Sequence, residues 1–139
     1  FCDFYADFSR EKAVSMLADL KIQPGDKISA MSKGTREKVQ LVLVMSRAAG
    51  LYLLDEPEAA LSPQRQLTLL LEIYRLAQAH AQFILVTHSP ILLGLPGAEL
   101  LSLDGNALRP IAYTDTESYQ VTRMFIEQRE GLLKKLLEE

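Results

Sequence analysis

Apolar residues change rhythm along this chain, and the changes mark its elements. Ala13, Met16, Leu17 and Leu20 recur at helical spacing behind Ser9, so the pattern predicts a Ser-capped helix from Ser9 to Leu20. Pro24-Gly25-Asp26 is a turn, and a second helix is expected from about Thr35 to Ala49, closed by Gly50. Leu51-Tyr52-Leu53-Leu54 then runs without a polar break into Asp55-Glu56-Pro57, and Gln82–Thr87 repeats that rhythm. Both read as buried strands. Between them, Ser62-Pro63 starts a helix, and Leu67, Leu70, Leu71, Ile73, Tyr74 and Leu76 give it a broad apolar face to about His80. A short helical turn follows His88-Ser89-Pro90. Glu99–Leu103 and Ala107–Tyr113 flank Asp104-Gly105-Asn106, a hairpin signal. Two helices end the pattern, Thr116 to Gln128 and Gly131 to Glu139, the second with Leu132, Leu133, Leu136 and Leu137 on its inner side.

Two buried strands joined by a long helix predict a crossover unit in a parallel sheet, an α/β fold. The 139 residues suffice for one core. A net charge of -3 supplies no global positive field for nucleic acid or anionic membrane. Cys2, the single cysteine, excludes an internal disulfide and a Cys-rich metal site, which fits a cytoplasmic setting. No apolar run approaches the ~20 residues that span a bilayer. Phe4, Tyr5 and Phe8 read as packing aromatics rather than an adenine-stacking site.

Three short segments carry candidate chemistry. The strand at Leu51–Leu54 delivers Asp55 to the sheet's carboxyl edge, where α/β proteins bind ligands. Asp55 there can hold Mg²⁺ through a bound water, and Glu56 can polarise an attacking water as general base. Thr87-His88-Ser89 lies at the carboxyl end of the other strand, where an imidazole can reach a γ-phosphate. Met31-Ser32-Lys33-Gly34-Thr35 opens a helix, whose free amides and dipole favour anions. Each segment alone also fits a plain structural role: a solvated strand end, a loop histidine, a Ser-capped helix start.

In this order and spacing, the three segments resemble the ABC-type ATPases of the P-loop NTPase superfamily. Met31–Thr35 is similar to the family's signature motif, Leu51–Glu56 to Walker B with the catalytic glutamate, Glu58–Pro63 to the D-loop, and His88 to the switch histidine. The resemblance implies a nucleotide-binding domain that hydrolyses ATP with Mg²⁺ as a homo- or heterodimer. Glu56 and His88 would be catalytic and Asp55 would serve the metal. Ser32, Lys33, Gly34 and Thr35 would meet the ATP of the partner subunit, with Ser62 in the D-loop. It further implies the end of a helical subdomain over 1–34, a catalytic α/β core over 35–113 and C-terminal helices over 114–139.

The pattern departs from the family at Lys33, Thr35 and Ser62, which replace glycine, glutamine and aspartate. None of the seven glycines is followed by lysine, so these residues hold no P-loop, and the chain opens on Phe1. The resemblance places the P-loop before Phe1, and the chain alone is expected to bind ATP weakly or not at all. The segment from Phe4 through Pro57 is similar to ATPase subunits of bacterial exporters, which implies a transmembrane permease partner and a cytoplasmic place at the inner membrane face. Glu58 through Glu139 is similar to stand-alone AAA/SMC-related ATPases, which lack transmembrane partners and some of which act on DNA or in phage defence. A truncated, non-enzymatic remnant is the third reading.

Overall fold

The computed structural model describes residues 4–103 and 107–137, which fall into two compact units, Phe1–Thr87 and His88–Glu139. The first unit begins with α1 (Arg10–Asp19), capped by the Ser9 hydroxyl, which accepts from the Lys12 amide at 3.2 Å. Lys21 closes the helix in the left-handed region (φ 58°), while the amides of Lys21 and Ile22 reach back to Ala18 and Leu17. This C-cap turns the chain so that Ile22 is buried.

After a 3₁₀ turn at Ile28–Ala30, α2 runs from Lys33 to Met45. It stops short of the Gly50 expected to close it, because other partners take the backbone beyond Met45. The Ser9 amide donates to the Ser46 carbonyl (2.8 Å), and the Ala48 amide to the Asp7 carbonyl (3.0 Å). Arg47 holds the Asp7 carboxylate through Nε and the terminal nitrogen at 3.1–3.3 Å, and its guanidinium lies 4.0 Å over the Tyr5 ring. Tyr5 nonetheless stays exposed, and Phe4 is 83% exposed, so neither packs as its sequence context suggested.

β1 (Leu51–Asp55) and β2 (Gln82–Val86) pair in parallel, from Leu51 opposite Gln82 to Asp55 opposite Val86. The helix that joins them, α3, spans Pro63–Gln78. The core gathers Ala13 of α1, Val42 and Met45 of α2, Tyr52 and Leu54 of β1, and Leu69 and Ile73 of α3. Tyr52 stacks on Phe83 at 4.7 Å, and its hydroxyl donates to the Arg47 carbonyl.

Two expectations need correction. The strands are packed on one face only: Leu51, Leu53, Ile84 and Val86 point the other way, with Leu53 68% and Ile84 60% exposed. A continuous apolar run does not by itself say whether both faces are covered. The inward face of α3 is also narrower than its leucines suggested. Leu69 and Ile73 are buried, whereas Leu67, Leu71 and Tyr74 are exposed. At its end, His80 takes a left-handed φ of 67°, and the His80 and Ala81 amides return to Ala77 and Leu76.

In the second unit, the buried Ser89 hydroxyl accepts from the Ile91 and Leu92 amides and starts α4 (Pro90–Leu93). β3 (Leu101–Ser102) and β4 (Arg109–Pro110) form the expected antiparallel pair, each two residues long; Asp104-Gly105-Asn106 lies outside the described residues. The Tyr113 hydroxyl donates to the Pro90 carbonyl at 2.9 Å. α5 (Glu117–Leu137) is a single element kinked at Gln128, where the sequence pattern broke between two helices. Leu132 and Leu133 are half-buried, while Leu136 and Leu137 are exposed instead of facing inward. Among the described residues no helix is long and apolar enough to cross a membrane.

Candidate functional site

Parallel pairing sends the carboxyl ends of β1 and β2 to one edge of the sheet. Asp55 ends β1 there, exposed. The Glu56 amide adds one further rung by donating to the Val86 carbonyl at 2.8 Å. Glu56 itself has φ +42°, in the left-handed region. For a residue with a side chain that conformation costs about 1–2 kcal/mol and persists only where neighbouring contacts impose it. The chain then turns tightly, with the Ala59 amide bonded to the Glu56 carbonyl and the Leu61 amide to the Glu58 carbonyl. Glu58 thereby comes back to the end of β2, where its Oε1 accepts from the Thr87 hydroxyl at 2.6 Å.

A cavity of about 410 Å³ opens beside this edge, and Lys33, Asp55, Glu56 and Ala60 are among its lining residues. The start of α2 and the loop after β1 thus share one hollow within the first unit. A Cβ placed on Gly34 would sit 4.0 Å from the Ala60 Cβ, an ordinary contact, so packing in this chain does not demand glycine there. The Ser32 hydroxyl accepts from the Thr35 amide (3.2 Å), which caps the helix, and lies 2.9 Å from the Thr35 hydroxyl. Lys33 is almost wholly exposed, with Nζ 3.8 Å from Glu37. Ser62 has the extended backbone of a cap but makes no capping side-chain bond to α3. His88 is exposed and opens the second unit, directly after Thr87.

The carboxylates suit magnesium in a limited way. Among the described residues no three His, Cys, Asp or Glu side chains gather as a metal cage. A site that offers one or two carboxylates matches Mg²⁺, which keeps several waters and takes its remaining ligands from phosphates. Sequence reasoning assigned Asp55 and Glu56 to the nucleotide of their own subunit and Lys33 to that of the partner; here all three line one cavity. That reasoning missed the Glu58–Thr87 bond, because no local pattern pairs side chains 29 residues apart.

The carboxyl edge of a parallel sheet is where α/β proteins bind ligands, and the family match of this chain falls in the P-loop NTPase superfamily. Within it, the model of a family described as "AAA domain, putative AbiEii toxin, Type IV TA system" matches residues 11–94, more than half of the chain, and the chain belongs to that family. A solved structure described as "Structural biochemistry of ATP-driven dimerization and DNA stimulated activation of SMC ATPases" is similar in fold. Its TM-score is 0.52 at 19% identity, over 76% of this chain and 68% of that one. The SMC head domain from Thermotoga maritima aligns at 22% identity and a TM-score of 0.47, over 63% of this chain. The chain spans about a third of that relative's length, 35%. No curated protein matches.

Proposed function

We propose that this chain supplies the hydrolytic edge of an ATPase site completed in a dimer, in a stand-alone ATPase of the SMC-related kind. The observation that carries this reading is the placement of Asp55 and Glu56 together on one cavity at the carboxyl edge of the sheet. When bound, Mg²⁺ supplies charge neutralisation at the β- and γ-phosphates. Asp55 would hold it through water, and Glu56 would take the proton of the attacking water. His88 meets the γ-phosphate. Ser32, Lys33, Gly34 and Thr35 face the ATP of a second copy, and Ser62 belongs to the D-loop beside them. Family membership over residues 11–94 and the SMC-like fold support this reading. The similar SMC ATPases dimerise when driven by ATP, and we extend that to this chain.

The decisive experiment is Glu56→Gln in the complete protein. Turnover should fall by about 10²–10⁴-fold, the worth of a general base, while ATP-driven dimerisation persists. Unchanged turnover removes Glu56 from the mechanism. The similar SMC ATPases are activated by DNA; adding duplex DNA to the turnover assay tests whether that extends to the complete protein.

A second reading, an exporter ATPase subunit with a permease partner, rests on the resemblance of Phe4 through Pro57. Co-purification with a multi-span membrane protein favours it, and a soluble homodimer favours the first.

A further inference from the structure

Glu56 is held in a conformation that its own residue type does not prefer, so something around it must impose that conformation. Two tethers bracket it. On its N-terminal side, its amide is fixed to the Val86 carbonyl at 2.8 Å. On its C-terminal side, two residues on, the Glu58 carboxylate accepts from the Thr87 hydroxyl at 2.6 Å. Val86 and Thr87 are consecutive at the end of β2, so both tethers end on one short stretch of backbone. Glu58 and Thr87 are each half-buried. A hydroxyl-to-carboxylate bond of this length, partly shielded from water, is among the stronger side-chain hydrogen bonds.

We propose that the Glu58–Thr87 hydrogen bond is a clasp that positions Glu56, making Glu58 and Thr87 positioning residues for the water-activating step. The inference rests on the reading of Glu56 as general base. Between the two tethers the chain has room only for a tight turn, and the left-handed Glu56 supplies it. Opening the clasp frees Pro57 and Glu58, removes the constraint on Glu56 and lets its carboxylate leave the cavity edge. Glu58 takes no proton in this scheme; it acts as an acceptor, so a neutral amide of the same shape can replace it.

That last point sets the test. Thr87→Val removes the donor while keeping the branched shape, and Glu58→Ala removes the acceptor. Thr87→Ser and Glu58→Gln keep the bond. Amide exchange followed by NMR on the chain reads the Glu56 N–H directly. In Thr87→Val and Glu58→Ala its protection should drop about tenfold, the worth of roughly one net hydrogen bond, while Thr87→Ser and Glu58→Gln stay within about twofold. Amides in the middle of β1 and β2 serve as the control for folding and should not change. In the complete protein the same two disruptive variants should lower kcat at constant KM, with recovery in the conservative pair. An unchanged Glu56 exchange rate in both disruptive variants overturns the clasp. So does a loss of turnover in Glu58→Gln equal to that in Glu58→Ala, because it would make the charge rather than the bond the active feature. Exchange reads the clasp without any catalytic assumption, whereas full turnover in Glu56→Gln strikes only the base assignment, so the two failures are told apart.

Discussion

Gly34 separates two accounts of the start of α2. If the segment is only a capped helix, alanine should be welcome there: a Cβ meets nothing closer than 4.0 Å, and an exchange of Gly for Ala in a helix gains about 0.5–1 kcal/mol. If a partner's phosphate approaches this backbone, the same methyl blocks it. Gly34→Ala is therefore expected to raise the urea midpoint of the chain yet lower turnover in the complete dimer; unimpaired turnover would leave Ser32–Thr35 as a helix cap alone. The caps were legible because capping chemistry is local. Ser9 stands three residues from the amide it receives, and Ser89 two and three from its own. The Asp7–Arg47 pair and the Glu58–Thr87 clasp join residues 40 and 29 apart, and no periodicity announces them. The acid pair was legible for another reason: an apolar run that ends abruptly on Asp-Glu-Pro can put those carboxylates only at a strand's end.

Among the elements, α3 shows what periodicity leaves open. Its sequence is leucine-rich around most of its circumference, so hydrophobicity alone could not choose between the face with Leu67 and Leu71 and the face with Leu69 and Ile73. Contact with the core chose the latter. Ile73→Ala should cost about 2–5 kcal/mol, as for other fully buried aliphatic residues. Leu67→Ala should cost less than about 1 kcal/mol. Equal losses by thermal unfolding would contradict the assigned face. The helix ends carry a separate prediction. Lys21 and His80 both occupy left-handed caps usually given to glycine, so Lys21→Gly and His80→Gly should each stabilise by about 0.5–1 kcal/mol, relief of backbone strain offset by glycine's entropy. Neither cap was readable beforehand, because lysine and histidine do not advertise a positive φ.

For the molecule as a whole, burial is unevenly shared. Among the described residues nearly all buried apolar side chains belong to the first unit, and in the second only Leu92 is buried. Every residue from Gln120 through Gly131 in α5 is exposed. Amides there are expected to exchange through local fraying well before those of Leu54 and Ile84, which alternate in phase with the bonded Glu56 and Gln82 amides, face the partner strand and should open only with the whole first unit. Equal protection in the two regions would contradict this hierarchy. The open face of the β1–β2 pair has a practical outcome. Leu51, Leu53, Ile84 and Val86 form an oily stripe on a sheet of two strands, each with a backbone edge that its partner does not use. Such a surface favours colloidal clumping over clean solution behaviour. The handling of the purified chain should accordingly be governed by four side chains that contribute little to its folding: lysine at positions 53 and 84 should suppress light scattering and dye fluorescence while leaving the melting temperature almost where it was.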